Sequence, residues 1–113
     1  MFDQIDLHQL AEMRGPDRAF LSVYLSSPEA WKALGQRIRE IEQLLSETPD
    51  EAEHFRENLA HVETWLESNH YKSGALCLFT CWALDFQQAI PLEKAVDDLL
   101  WVDAGPYLRP LAE

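Results

Sequence analysis

Ala75-Leu76-Cys77-Leu78-Phe79-Thr80-Cys81-Trp82 is almost wholly apolar. A strand with one wet face alternates apolar and polar side chains, because successive residues point to opposite faces of the sheet. This run does not alternate, so it reads as a central strand that must be covered on both faces. Asn69, His70, Lys72, Ser73 and Gly74 form the turn that leads into it. Beyond it Asp85-Phe86 marks a reversal, and Gln87 to Pro91 reads as the returning strand of a hairpin, with Pro91 ending its pairing.

The two flanks complete the sheet and supply its cover. Downstream, Leu99-Leu100-Trp101-Val102 is a last short strand, and Gly105-Pro106 with Pro110 enforces an extended tail held near the body by Tyr107, Leu108 and Leu111. Upstream, Ala19, Leu21, Val23 and Leu25 alternate with Phe20, Ser22, Tyr24 and Ser26 in the period of a first strand. Between the two strands Ser27-Pro28-Glu29 opens a helix that runs to about Ser46, with Trp31, Leu34, Ile38, Ile41 and Leu45 as an apolar seam. Thr48-Pro49-Asp50-Glu51 opens a second helix, whose seam is Ala52, Phe55, Leu59, Val62 and Leu66. Two seams joined by a short linker predict an antiparallel helical hairpin. Ile5, Leu7, Leu10 and Met13, stopped by Gly15-Pro16, predict a short helix over residues 4 to 13. The expected fold is α/β (α+β): one domain spanning residues 1–113, with a mixed sheet of about four strands packed against the helical hairpin and a short N-terminal helix.

The charge narrows the partners. Twenty Asp and Glu against nine Lys and Arg give a net charge of −11, which repels anions, so autonomous DNA or RNA binding is not expected. A local basic patch would have to gather Arg14, Arg18, Lys72 and Arg109. No stretch approaches the roughly 18 apolar residues of a membrane span, and the start Met-Phe-Asp-Gln-Ile-Asp lacks the basic region of a signal peptide. A cytoplasmic protein without a membrane partner is the expectation.

Residue types capable of chemistry are present, but not in patterns that perform it. Cys77 and Cys81 lie four apart on one strand face, about 13 Å at ~3.3 Å per residue, too far for a disulfide, and read as buried free thiols. His54 and His61 share a helix face seven residues apart, whereas helical metal pairs sit at i and i+4. His8 and His70 stand without a nucleophile or acid in a catalytic pattern. Asp97, Asp98 and Asp103 bracket the last strand and read as protection of a sheet edge. Trp82 and Trp101 read as packing on the sheet. The reading therefore assigns no catalytic residue, no cofactor and no metal.

Several stretches taken in order resemble a known family. They are Arg14-Gly15-Pro16-Asp17 before Phe20-Leu21-Ser22-Val23-Tyr24-Leu25, the charged helical hairpin, Gly74-Ala75-Leu76-Cys77-Leu78-Phe79, the Ile90-Pro91-Leu92 step, and Pro106-Tyr107-Leu108-Arg109-Pro110-Leu111. Together they look like the N-terminal domain of bacterial proteins related to the archaeo-eukaryotic class 1 peptide chain release factors. The resemblance implies a mixed sheet with a helical hairpin, and in the true release factors this domain reads the stop codon with an Asn-Ile-Lys-Ser loop at the hairpin and a Tyr-x-Cys-x-x-x-Phe strand motif. This chain has neither. Its hairpin linker, Ser46-Glu47-Thr48-Pro49-Asp50-Glu51, would set three carboxylates beside mRNA phosphates. The family's hydrolytic Gly-Gly-Gln loop belongs to a following middle domain, so peptidyl-tRNA hydrolysis is not carried over.

The resemblance implies a non-catalytic domain that places a release-factor-like protein on the ribosome or on a translation-associated partner. Glu47, Thr48, Pro49, Asp50 and Arg109 are the candidate partner-binding residues. The alternative is a free-standing protein-protein interaction module, a homodimer through the hairpin helices. A small enzyme using clustered carboxylates or histidines is the least supported reading.

Overall fold

A computed structural model describes residues 7–69, 71 and 73–112. Helix α1 (Leu7–Glu12) leads to strand β1 (Phe20–Leu25), then to α2 (Ala30–Ala33), α3 (Gly35–Leu44) and α4 (Pro49–Ser68). Strand β2 (Ala75–Cys81) follows, then a 3-10 turn (Trp82–Leu84), β3 (Phe86–Leu92), β4 (Leu99–Asp103) and a terminal helix α5 (Arg109–Ala112). The sheet order is β3-β2-β1-β4. The apolar run thus occupies a central strand, and all of β1 and all but the first residue of β2 are buried.

Every strand pair is antiparallel, where a mixed sheet was expected. The reason is the two-helix connection. Glu51 in the first turn of α4 pairs with Arg18 just before β1, whereas the chain leaving α4 enters β2 opposite the end of β1, with Leu25 facing Leu76. The α2–α3 arm therefore runs back along β1, α4 returns, and β2 starts at the end where β1 finished. A single crossover helix would have left it parallel.

Both sheet faces are covered. On one, Leu21, Val23, Leu25, Leu76, Leu78 and Leu100 pack against Leu34, Ile41, Leu45, Phe55 and Val62 of the helical layer. The expected seams are the ones that bury. On the other face Phe20, Tyr24, Cys77, Phe79, Cys81 and Ile90 meet Leu10 and Met13 from the N-terminal arm and Tyr107, Leu108 and Leu111 from the tail. Two side chains of β1 fasten that tail. The Ser22 Oγ accepts the Tyr107 N–H at 2.9 Å, and the Tyr24 hydroxyl donates to the Tyr107 carbonyl at 2.5 Å. Gly105 passes so close to the N-terminal arm that an added Cβ would lie 2.8 Å from the Met13 carbonyl oxygen.

Several local boundaries differ from the sequence reading. The first long helix is broken at Leu34 and begins at Ala30 without a side-chain cap, because Ser27 and Pro28 form a turn in which the Ser27 carbonyl accepts the Ala30 N–H. Pro91 does not end the pairing of β3: it lies inside the strand opposite Leu76. An edge strand tolerates proline there, because the missing N–H would have pointed away from the sheet. Trp82 leaves the strand for the 3-10 turn, and Asp85 closes the reversal in the left-handed region at φ 52°. The tail ends in a helical turn, α5, instead of remaining irregular. The first three residues of the expected N-terminal helix lie outside the described residues.

Asn58 sits in the α4 seam between Phe55 and Val62 and is fully buried. Its amide donates to the Ala19 carbonyl at 2.9 Å, and its Oδ1 accepts the Trp82 N–H at 2.8 Å. One side chain thus ties α4 to the start of β1 and to the end of β2. Replacing it with Ala orphans two backbone groups, and each buried group left unpaired costs about 1–3 kcal/mol. Urea unfolding of Asn58→Ala should therefore show a loss of about 2 kcal/mol or more, and a loss well below that would mean water substitutes for the amide.

Candidate interaction site

Glu47 and Thr48 lie in the linker between α3 and α4, Pro49 and Asp50 are the first residues of α4, and all four are exposed. The linker's shape is set locally. Thr48 donates its N–H (3.0 Å) and its Oγ1 (3.1 Å) to the Leu45 carbonyl, and Ser46 Oγ donates to the Gln43 carbonyl at 2.8 Å. These bonds satisfy carbonyls at the end of α3 that have no helical partner. Pro49 then starts α4, where its lack of an N–H costs nothing, and Asp50 and Glu51 face the positive end of the helix dipole. Of the linker carboxylates, Glu51 is engaged by Arg18 at 3.1 Å, whereas Glu47 and Asp50 stand in solvent. Beside the linker a shallow groove of about 370 Å³ is lined by Glu42, Ser46, Pro49, Ala52, Phe55 and Arg56.

Arg109 does not join this surface. It stands on α5, between Leu108 and Leu111, which pack on the opposite face of the sheet from the helical layer. There it lines an open cleft of about 660 Å³ with Lys94, Asp97, Asp98, Leu99 and Tyr107. The candidate partner-binding residues therefore form two separate surfaces. The basic patch does not assemble either: Arg14 bonds the carbonyls of Ala11 and Met13 (3.0 and 2.6 Å), Arg18 pairs with Glu51, and Lys72 lies outside the described residues.

Among the described residues no group of three or more His, Cys, Asp or Glu side chains is placed to hold a metal ion. His54 packs edge-on against Trp82, with ring centroids 5.6 Å apart, and its Nδ1 is buried without a partner. His61 lies further along α4, where its carbonyl accepts from Gln87 at 3.4 Å. His70 and the side chain of His8 lie outside the described residues. Two of the three aspartates around β4 bond their own chain: Asp98 accepts the Ser26 N–H and Asp103 the Ala104 N–H, each at 2.7 Å. Trp101 stacks on Tyr107 at 4.6 Å.

Cys77 and Cys81 share one sheet face and are buried, free thiols. Burial pushes the Cys77 thiol up to about 12, against a weaker downward pull from its hydrogen bond with Tyr24. Burial also raises Cys81, partly offset by backbone hydrogen bonds from Leu84 and Ala83, and raises the Tyr24 hydroxyl, with Cys77 adding to the effect. These neutral thiols are poor nucleophiles.

Sequence reasoning missed Asn58 and the exposure of Leu44. The signal for Asn58 was its position, since 55, 58 and 62 continue the 3, 4 spacing of a buried seam. No protein-family model matches the chain, and no curated protein matches it significantly. No described helix is long and apolar enough to cross a membrane.

The raised acidities fix a pH dependence. A thiol or phenol whose folded pKa is raised favours the fold fully below its unfolded value, and that advantage is lost as pH climbs from there to the folded value. For Cys77 the window runs from about 9 to about 12, at up to about 1.4 kcal/mol per pH unit. Thermal unfolding should move to lower temperature above pH 9, with a shallower decline in Cys77→Ala. Native protein at pH 8.5 should leave Cys77 unmodified by iodoacetamide until denaturant is added, and rapid modification of the folded chain would contradict its burial.

Proposed function

We propose that this chain acts as a non-catalytic N-terminal domain of a release-factor-like protein, in the cytoplasm, placing that protein on the ribosome or on a translation-associated partner. What supports the reading is the ordered sequence resemblance together with a helical layer over a four-stranded sheet and an exposed segment, Glu47 to Asp50, where the resemblance would put a codon-reading loop. An acidic linker on a chain of net charge −11 favours a basic protein surface over a phosphate backbone. The contact made by this domain is then protein to protein, with Glu47 and Asp50 as its exposed charges and Thr48 and Pro49 as its rigid frame. Arg109, on the far face, belongs to a second contact.

Co-sedimentation with ribosomes tests this. Binding is expected to weaken with salt less steeply than a phosphate-dominated contact, since only a few exposed charges take part, and the double variant Glu47→Lys/Asp50→Lys should weaken it several-fold while leaving the melting temperature unchanged. Purified protein should release no peptide from peptidyl-tRNA. Absence of co-sedimentation, or binding that the charge reversals leave intact, would contradict the reading.

A further inference from the structure

A third groove lies on the helical side of the sheet, between the end of α3 and the edge strand β4. It is about 330 Å³ and is lined by Ile41, Leu44, Leu45 and Val102, with Arg18 and Arg37 at its margins and Trp101 at the strand edge. Leu44 is 73% exposed and Trp101 37% exposed, the first being the most exposed large hydrophobic side chain described. Leu45, beside Leu44, supplies the buried end of the seam, so Leu44 is not needed to close the core. Leu44 belongs to neither core cluster and lies beside the partly buried Val102 on this groove, an apolar surface that no other element covers, whereas the Trp101 ring stacks on Tyr107 at 4.6 Å.

The strand beside that groove is also open. β4 ends the sheet, and its outer side pairs with no other described strand. Edges of this kind are usually blunted by charge or proline. The opposite edge, β3, contains Pro91, whereas β4 has no proline and a single charge, Asp103, at its last position. Asp98, just before the strand, and Asp103, its last residue, accept the backbone N–H groups of Ser26 and Ala104.

The groove's charge selects the occupant. The chain carries twenty acidic residues, yet no carboxylate lines this groove, and two of its nine cations do. Arg37 reaches Glu40 only at 3.9 Å, and Arg18 meets Glu51 at 3.1 Å through one of its nitrogens. Both arginine side chains are about half exposed, at 47% and 56%, and solvent-exposed pairs of this kind are weak enough to be exchanged.

We propose that β4 and this groove bind an extended acidic and aliphatic peptide segment of another protein, which adds as a fifth strand. Its main chain pairs with the outer edge of β4, alternate aliphatic side chains cover Leu44 and Val102, and flanking carboxylates meet Arg37 and Arg18. A second copy of this chain fits less well, because it brings another net charge of −11 to the contact. The inference is independent of the ribosomal reading, which rests on the α3–α4 linker.

Panning a library of random twelve-residue peptides on the purified chain tests it. Enriched sequences are expected to carry aliphatic residues flanked by Asp or Glu, and the strongest, synthesised and added to labelled protein, should shift the amide resonances of Leu99 to Asp103. Arg37→Glu and Leu44→Ser, both at exposed positions, should each weaken that peptide at least ten-fold. Arg56→Glu, which makes the same charge change at another groove, should leave it unchanged. No enrichment, enrichment of basic sequences, resonance shifts confined to other elements, or equal affinity for Arg37→Glu would overturn the proposal. So would a dimer through β4 that the peptide fails to dissociate.

Discussion

Two adjacent strands, β1 and β2, are buried on both faces, and that constraint organises everything else in the molecule. Apolar residues on both sides of a strand demand two covering layers, since each exposed face would forfeit about 25 cal/mol per Å² of apolar surface. The layers come from different parts of the chain. The segment between the strands supplies α2, α3 and α4 for one face, while the N-terminal arm and the tail after β4 converge on the other. Because the inserted segment makes two passes, the same constraint sets the strand direction and makes the sheet antiparallel.

Hydrophobic burial is not directional, so it explains why the covers exist but not where they sit. Buried polar side chains fix their position. Asn58 reads two backbone groups at the ends of β1 and β2, which sets α4 along the sheet. Ser22 and Tyr24 hold both backbone groups of Tyr107, which sets the tail. Each of these bonds replaces a solvated backbone group with a paired one inside a low-dielectric interior, where an error in register leaves a group unpaired. Tyr24 serves twice, since the same ring lies edge-on to Phe79 at 6.2 Å in the second core.

Much of this was legible in the residues. The unbroken apolar run from Ala75 called for a central strand, and the 3, 4 spacing from Trp31 to Leu45 and from Ala52 to Leu66 identified the seams that bury. What escaped reading depends on distant parts of the chain. The start at Ala30 follows from the turn that Ser27 closes on it, and Pro91 is tolerated because β3 is an edge, which local sequence does not disclose. The expected mixed pairing failed because strand direction depends on how many helices return the chain. At the surface, the spacing placed Leu45 in the core but gave no partner for Leu44, and the proximity of Leu44 to Trp101 arises only from α3 lying over the β4 edge. Likewise Arg109 and the Glu47–Asp50 linker, grouped by sequence, fall on elements that cover opposite faces.

The functional readings inherit this layout: the face that carries the helices also carries the acidic linker and the groove beside β4, whereas Arg109 belongs to the layer that closes the second core. The most direct measurement of the central constraint is the stability of a chain ended at Gly105, which removes Tyr107, Leu108 and Leu111 while keeping all four strands and the helical layer. The account predicts that this chain loses its cooperative thermal transition or binds a hydrophobic dye strongly through the uncovered second face. An unchanged melting temperature without dye binding would contradict the claim that β1 and β2 need cover on both sides.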